Sequence, residues 1–183
     1  FDGAKLDQVV LGYGTGGTAT GLGRVLKQAR SDLKIVLSEP ENAALVGSGT
    51  AQVRNDEGEP AESHPSFAPH PVQGWTPDFI PLVLQEALDK GYFDVLEPVT
   101  GPESIAMSRR LAAEEGILAG ISGGASVAAA LKVAEKAREG SVILAMLPDT
   151  GERYLSTPLF DGIGAEMDDE ELTLSHSTPG FKY

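Results

Sequence analysis

The chain has 183 residues, 41% of them hydrophobic and 22% charged, so it is long enough to bury a core and has the composition of a globular protein. Its net charge of −13 repels the phosphate backbone of nucleic acids, no apolar run reaches the roughly 20 residues that span a bilayer, and cysteine is absent. We therefore expect a soluble protein of the cytoplasm that binds neither nucleic acid nor membrane.

The first half of the chain predicts a β-loop-α-β unit followed by a long loop. An apolar run over residues 6–12 predicts a strand, residues 18–30 predict a helix, and residues 34–39 predict a second strand. Residues 47–73 are rich in Gly, Pro, Glu, Ser and His without apolar periodicity, which indicates a long surface loop. Residues 79–90 then return to helical spacing.

The second half continues the alternation of strands and helices. Thr100, Pro102 and Glu103 have the spacing of a capping box, which predicts a helix that runs through Glu115 and stops at Gly116. The remaining elements predicted are strands at 93–99, 117–121 and 142–147, a glycine-rich turn at 120–126, and an alanine-rich helix at 127–138.

This order of elements predicts the fold class. Strands that alternate with helices are typical of an α/β fold with a doubly wound, mostly parallel sheet and helices on both faces. We expect one domain over residues 1–160. Residues 161–183 contain the acidic run DDEE and few apolar residues, which predicts a polar, solvated or partly ordered C-terminal tail.

The stretch LGYGTGGTATG at residues 11–21 follows the first predicted strand and opens the first helix. A glycine-rich turn at this place exposes backbone N–H groups at the positive end of the helix dipole, where an anion binds. Gly12, Gly14 and Gly17 have the GxGxxG spacing of dinucleotide-binding loops, and Glu39 follows where a ribose-binding acid would lie. An NAD-binding Rossmann domain is therefore one hypothesis.

Two features favour a terminal phosphate monoester instead. Thr15 and Thr18 could add hydroxyl donors to the backbone amides, which suits a dianion with three oxygens. Ser122 lies in a second glycine-rich turn, which a parallel sheet would bring to the same edge. Ser122 could also be an ordinary N-cap of the following helix, or serve both purposes.

Longer stretches resemble a known family. GTGGT at 14–18, EEGILAGISGGA at 114–125 and LPDTGERYLSTPLF at 147–160 are similar to cysteine synthase, the O-acetylserine sulfhydrylase of the fold-type II pyridoxal-phosphate enzymes. SEP at 38–40 and QG followed by FIP at 73–81 continue the resemblance, which covers about residues 6–160. It implies pyridoxal 5'-phosphate as cofactor and β-replacement of the acetate of O-acetyl-L-serine by sulfide, giving L-cysteine.

The resemblance also implies site residues. It assigns Ser122 to the pyridine nitrogen, Gly74 to the substrate side, and the cofactor phosphate to the loop residues Gly14, Thr15, Gly16, Gly17 and Thr18. A neutral hydroxyl at the pyridine nitrogen leaves that nitrogen largely unprotonated, which weakens electron withdrawal by the ring and favours β-elimination over transamination.

The chain departs from the family in two respects. The lysine that forms the Schiff base is not recognisable here, because Lys5, Lys27, Lys34, Lys90, Lys132, Lys136 and Lys182 sit at surface-like positions. We therefore assign no catalytic residue, expect that lysine upstream, and interpret the sequence as the C-terminal portion of the enzyme. QGWTPDFIP at 73–81 replaces a stretch that often reads QGIGAGFIP, so cystathionine β-synthase and O-phosphoserine sulfhydrylase remain alternatives.

Further implications concern partners. The resemblance implies a homodimer and docking of a serine acetyltransferase C-terminal tail. Glu152 and Arg153 are interpreted as an ion pair or caps, and Trp75 as a packing residue. We expect no metal site, because His64, His70 and His176 lack ligand spacing. A noncatalytic fragment is the remaining alternative of another class.

Overall fold

The computed structural model describes residues 5–177 and residue 180. In this part of the chain no helix is long and apolar enough to cross a membrane. The helices and strands are β1 (Gln8–Gly12), α1 (Gly17–Ala29), β2 (Lys34–Pro40), α2 (Leu82–Asp89), β3 (Val95–Val99), α3 (Gly101–Glu115), α4 (Ile121–Glu135), β4 (Ile143–Ala145) and α5 (Asp169–His176).

The strands form one parallel sheet in the order β3-β2-β1-β4. Val10 of the central strand β1 pairs in register with Val36 of β2 and with Ala145 of β4. Because all strands run the same way, the segments that follow β1, β2 and β4 leave the sheet at the same edge, where ligands collect in such folds. The predicted α/β fold with a parallel sheet is confirmed.

Helices cover both faces of the sheet, as predicted. On one face Leu11 and Leu37 pack into a core with residues of α1 and α2. On the other face Val10 and Val36 pack against Ala125 and other small residues of α4. Successive side chains of a strand point to opposite faces, so the continuous apolar runs in β1 and β2 are those of strands buried on both sides.

The capping box at the start of α3 is present. The Thr100 hydroxyl accepts a hydrogen bond from the Glu103 amide at 3.2 Å, and the Thr100 amide donates to the Glu103 carboxylate at 3.3 Å. Gly116 ends the helix in the left-handed conformation with φ of 69°. This local pattern was readable from sequence because all its partners lie within four residues.

The segment after α3 differs from the prediction. The strand predicted at 117–121 is wrong, since Ala119 makes only an isolated bridge to Thr150. The turn predicted at 120–126 is also wrong, because α4 begins at Ile121. Gly124 permits helix contact here: a β-carbon on it would lie 2.2 Å from the Ser104 carbonyl oxygen of α3.

The long loop and the tail flank this sheet. Between residue 44 and α2 the described residues form no helix or strand, and their one β-type pairing is the isolated bridge of Arg54 with Pro60. This agrees with the loop predicted at 47–73. Helix α2 begins at Leu82, after Pro81, later than predicted. The segment predicted as a polar tail contains the short helix α5, which Asp168 caps and which has no buried residue.

We expect two glycine-to-alanine substitutions in helices to have opposite effects on stability. Gly124→Ala should lower the free energy of unfolding by about 1–3 kcal/mol, because the methyl group meets the backbone of α3. Gly21→Ala in α1 should raise it by about 0.5–1 kcal/mol, because nothing lies within 4 Å and alanine favours the helix. Urea denaturation of the complete protein measures both; equal effects would contradict the close α3–α4 contact.

Candidate active site

The loop at residues 13–16 connects β1 to α1 and presents backbone donors at the helix N-terminus. Gly16 is the N-cap residue, has a φ of 85°, and brings no side chain to cap the helix. The Gly17 nitrogen makes a long side-chain contact with the Thr15 hydroxyl, at 3.4 Å. The free N–H groups of the first turn therefore indicate an anion site at the positive end of the helix dipole.

Two positions in this loop require glycine. A β-carbon on Gly14 would lie 2.3 Å from the carbonyl oxygen of Gly74, and one on Gly16 would lie 2.6 Å from the β-carbon of Leu84 in α2. Gly16 is also in the left-handed region that favours glycine. The loop is thus held between the segment around Gly74 and the start of α2.

The residues of QGWTP at 73–77 pack directly on this loop. The Thr76 amide donates a hydrogen bond to the Tyr13 carbonyl at 2.7 Å. The Trp75 indole lies so close to Gly12 that a β-carbon there would be 1.9 Å from the ring. Gly74 has a φ of 83°, and Thr76 has a φ of 39°, which non-glycine residues rarely adopt. Backbone strain of this kind concentrates at functional sites.

The start of α4 lies across the cleft from the loop. Ser122 and Ser126 are one helical turn apart and both are buried. The Ser122 hydroxyl donates to the Asp149 carboxylate at 3.5 Å, whereas the Ser126 hydroxyl has no protein partner among the described residues. The N-cap of α4 is Gly120, so the alternative that Ser122 caps the helix is wrong.

These segments enclose a cleft of about 280 Å³. Four of the predicted site residues line it together: Gly14, Thr18, Gly74 and Ser122. The loop places Thr15, Gly16 and Gly17 next to them. The lining of the cleft combines the loop at the start of α1, two serine hydroxyls of α4 and Trp75. An orphan buried hydroxyl and glycine positions without room for a side chain fit a phosphorylated aromatic ligand.

Sequence reasoning assigned no site role to four other residues of the cleft: Gln73, Ser126, Asp149 and Arg153. The signal for Ser126 was its position four residues after Ser122, which places both on one helix face only if α4 begins at Ile121. Arg153 faces the cleft, and the Thr150 side chain is the main cause that lowers the pKa of Glu152. The charge of Arg153 is the smallest of the causes that act on Glu152, while Arg153 itself lines the cleft.

Glu39 is not available for a ribose. Its carboxylate accepts hydrogen bonds from the Tyr13 hydroxyl at 2.6 Å, the Gly47 amide at 2.7 Å and the Val46 amide at 3.1 Å, and its side chain is fully buried. Burial raises the pKa of Glu39, while the Tyr13 hydroxyl opposes that change. The acid on which the NAD hypothesis depended is thus part of the interior.

The lysines and histidines of the described chain lie apart from the cleft. Five lysines of the described chain pair with carboxylates on the surface: Lys5, Lys27, Lys90, Lys132 and Lys136. His64 is buried beside the Thr50 carbonyl, at 3.0 Å. Residues 5–177 and 180 contain no group of three His, Asp or Glu side chains arranged to hold a metal ion. Lys182 lies outside the described residues.

A parallel α/β sheet with an uncapped helix N-terminus and a cleft at its carboxyl edge defines an enzyme class that binds a phosphorylated cofactor. Residues 2–149 match the family model described as pyridoxal-phosphate dependent enzyme. The chain belongs to this family, and its cofactor is pyridoxal phosphate, as the resemblance implied.

The chain is similar to three kinds of enzyme within this family, the first of which is O-ureido-L-serine synthase. The chain is 48% identical over 169 residues to the O-ureido-L-serine synthase of Streptomyces lavendulae, covering 92% of this chain and 46% of the relative. A crystal structure of O-ureido-L-serine synthase superimposes with a TM-score of 0.77 at 47% identity, covering 94% of this chain and 48% of the other.

The chain is also 42% identical over 160 residues to the cysteine synthase of Staphylococcus aureus, covering 87% of this chain and 45% of the relative. The structure of an O-acetylserine dependent cystathionine β-synthase from Helicobacter pylori matches with a TM-score of 0.67 at 35% identity, covering 85% of this chain and 44% of the other. The chain therefore spans about half the length of the relatives it matches.

The buried Glu39 predicts a specific pH dependence of stability. Its pKa in the folded protein is raised above the ordinary value of 4.5, so its contribution to stability is fully present below pH 4.5 and is lost as pH rises through the folded pKa. The free energy of unfolding of the wild type relative to Glu39→Gln should decrease by about 1.4 kcal/mol per pH unit between the two pKa values.

Tyr13→Phe is the matched control for this measurement. Its hydroxyl lowers the pKa of Glu39, so its removal should extend the loss of stability to higher pH. Urea denaturation at a series of pH values measures the three proteins. A difference between wild type and Glu39→Gln that is independent of pH would contradict the raised pKa.

Proposed function

We propose that the complete protein uses pyridoxal phosphate to replace the acetate of O-acetyl-L-serine by sulfide and so makes L-cysteine. The observation that carries the proposal is the cleft in which the Gly14–Thr18 loop faces Ser122 across the carboxyl edge of the sheet. Membership of the pyridoxal-phosphate family and the likeness to a cysteine synthase support it.

The loop at the start of α1 would hold the cofactor phosphate. The uncapped N–H groups of Gly16, Gly17 and Thr18 would donate to phosphate oxygens, and the hydroxyls of Thr15 and Thr18 would add two further donors. Because the Gly17 amide makes only a long contact with Thr15, few protein hydrogen bonds would be lost when the phosphate binds.

The opposite end of the cleft would hold the ring and the substrate. Ser122 would meet the pyridine nitrogen, and Gly74 would approach the amino-acid substrate. When bound, the cofactor supplies an electron sink for breaking the bond from Cβ of the substrate to the acetate oxygen. The Trp75 indole fills space between Gly12 and the cleft, which favours a small nucleophile such as sulfide.

No lysine of the described chain lines this cleft. We therefore propose that the lysine that binds the cofactor is contributed by a part of the protein outside this sequence, since the chain covers less than half of its relatives. A homodimer, docking of a serine acetyltransferase tail and a cytoplasmic location are further expectations that come from the family resemblance.

A second candidate is the synthesis of O-ureido-L-serine. The identity of 48% to an O-ureido-L-serine synthase favours it. The same donor chemistry would serve, but the hydroxyl oxygen of N-hydroxyurea would attack the substrate Cβ in place of sulfide. Residues 75–77 differ from the common family stretch and would lie at the substrate side, so they are where the two activities would be separated.

An assay of donors and nucleophiles tests the proposal. The complete protein with bound cofactor should convert O-acetyl-L-serine and sulfide to L-cysteine at least tenfold faster than it uses N-hydroxyurea or homocysteine, measured as kcat/KM by product chromatography. O-phospho-L-serine should be a poor donor. Faster use of N-hydroxyurea than of sulfide would show that the protein is an O-ureido-L-serine synthase. Product formation with homocysteine and with neither other nucleophile would show that it is a cystathionine β-synthase.

We expect Gly14→Ala to weaken cofactor binding at least tenfold. The added methyl group would meet the Gly74 carbonyl at 2.3 Å and displace the loop that presents the amides. Gly21→Ala, in the same helix but in open space, is the matched control and should retain the cofactor. Cofactor titration followed by fluorescence measures both; wild-type affinity in Gly14→Ala would contradict the assignment of the phosphate site.

A further inference from the structure

Two side chains of the long loop hold Ile80, at the end of the stretch QGWTPDFI at 73–80. The side-chain oxygen of Gln52 accepts a hydrogen bond from the Ile80 amide at 2.9 Å. The Arg54 guanidinium donates to the Ile80 carbonyl at 2.7 Å. Both backbone polar groups of this buried residue are therefore bonded to side chains that lie more than 25 residues away in the sequence.

Gln52 uses its whole side-chain amide to make this connection. Its nitrogen donates to the Glu62 carbonyl at 2.8 Å and to the Val53 carbonyl at 3.2 Å, while its oxygen accepts from Ile80. An amide side chain has two N–H donors and an acceptor oxygen, and all are occupied here. Gln52 and Ile80 are both buried, so a shorter side chain would leave a buried backbone N–H without its partner.

The middle of the same stretch is held from two sides. The carbonyl oxygen of Thr76 accepts from Nε2 of His70 at 3.1 Å, and the His64 amide donates to the Asp78 carbonyl at 2.6 Å. From the other side, the Thr76 amide donates to the Tyr13 carbonyl at 2.7 Å. Thr76 has a φ of 39°, and a strained conformation of this kind persists only where its surroundings hold it. The long loop supplies half of these restraints.

We propose that Gln52 is a positioning residue that, through Ile80, fixes the conformation of residues 73–77 and so determines which nucleophiles the cleft accepts. The inference rests on the proposed function, which assigns this stretch to the substrate side. The Trp75 ring lines the cleft and packs on Gly12, whereas Ile80 lies outside the lining of the cleft. Gln52 therefore acts on specificity without touching a ligand.

Loss of the Gln52 side chain should loosen this control of the nucleophile. Release of the Ile80 amide lets the strained backbone at Thr76 relax and the Trp75 ring move, which admits a larger nucleophile. In the complete protein with bound cofactor, Gln52→Ala should lower the preference for sulfide over homocysteine, as a ratio of kcat/KM values, by about fivefold or more, the effect of one lost hydrogen bond. Cofactor affinity should stay unchanged, because the contacts with the β1–α1 loop remain.

Two further variants complete the experiment. Arg54→Ala removes the other hold on Ile80 and should shift the ratio in the same direction. Asn42→Ala is the matched control, because Asn42 donates to the Pro69 carbonyl at 2.9 Å and so holds the same loop without a bond to residues 73–80. It should leave the ratio unchanged. Hydrogen exchange followed by mass spectrometry should show faster exchange at the Ile80 amide in Gln52→Ala only.

The outcomes separate this inference from the proposed function. An unchanged ratio in Gln52→Ala overturns the inference, and so does an equal change in Asn42→Ala, which would show a general loosening of the loop. Where Gln52→Ala does not fold, an unchanged ratio in Arg54→Ala overturns it. A wild type that prefers N-hydroxyurea refutes the proposed function alone, and the ratio of that nucleophile to homocysteine then tests the inference in the same variants.

Discussion

The close approach of two glycine-containing segments holds this site together. Gly14 of the β1–α1 loop touches the carbonyl of Gly74, while Gly12 receives the ring of Trp75. The hydrogen bond from the Thr76 amide to the Tyr13 carbonyl fixes the same contact from the backbone. Side chains at Gly12 or Gly14 would push the two segments apart, and the cleft walls would separate. The loop proposed to bind the phosphate and the segment proposed for the substrate side are therefore joined by direct contacts.

A buried network of hydrogen bonds centred on Glu39 holds the β1–α1 loop in place. Glu39 is the last residue but one of β2, and its carboxylate accepts hydrogen bonds from the Tyr13 hydroxyl and from the amides of Val46 and Gly47. Tyr13 is the first residue of the loop that joins β1 to α1, so the carboxyl ends of β1 and β2 and the start of the long loop meet at one carboxylate. A buried carboxylate is costly unless its donors are in place, so this network strongly disfavours other arrangements of the loop.

How much the sequence could predict depended on how far apart the interacting residues lie. The capping box of α3 and the parallel order of the strands follow from local signals. The start of α4 could not be predicted from local signals. Glycines that allow two helices to pack closely, such as Gly124 against Ser104, have the same sequence pattern as glycines of a turn. The distance in sequence from Gly17 to Glu39 fits a ribose-binding acid, but the burial of Glu39 excludes that role. The contact of Asp149 with Ser122 joins residues 27 apart and has no local pattern.

The rigid coupling of the two segments also constrains how specificity can change. Trp75 and Thr76 belong to the segment proposed for the substrate side, yet Trp75 packs on Gly12 and Thr76 bonds to Tyr13, next to the residues proposed to hold the cofactor phosphate. A substitution that admits a larger nucleophile must therefore keep the contacts at Gly12 and Tyr13, or it will disturb the cofactor as well. Gln73 and Gly74 line the cleft beside these anchors. Gln73 makes none of those contacts, so we expect changes at Gln73 to alter the surroundings of the proposed nucleophile with less effect on the proposed cofactor site.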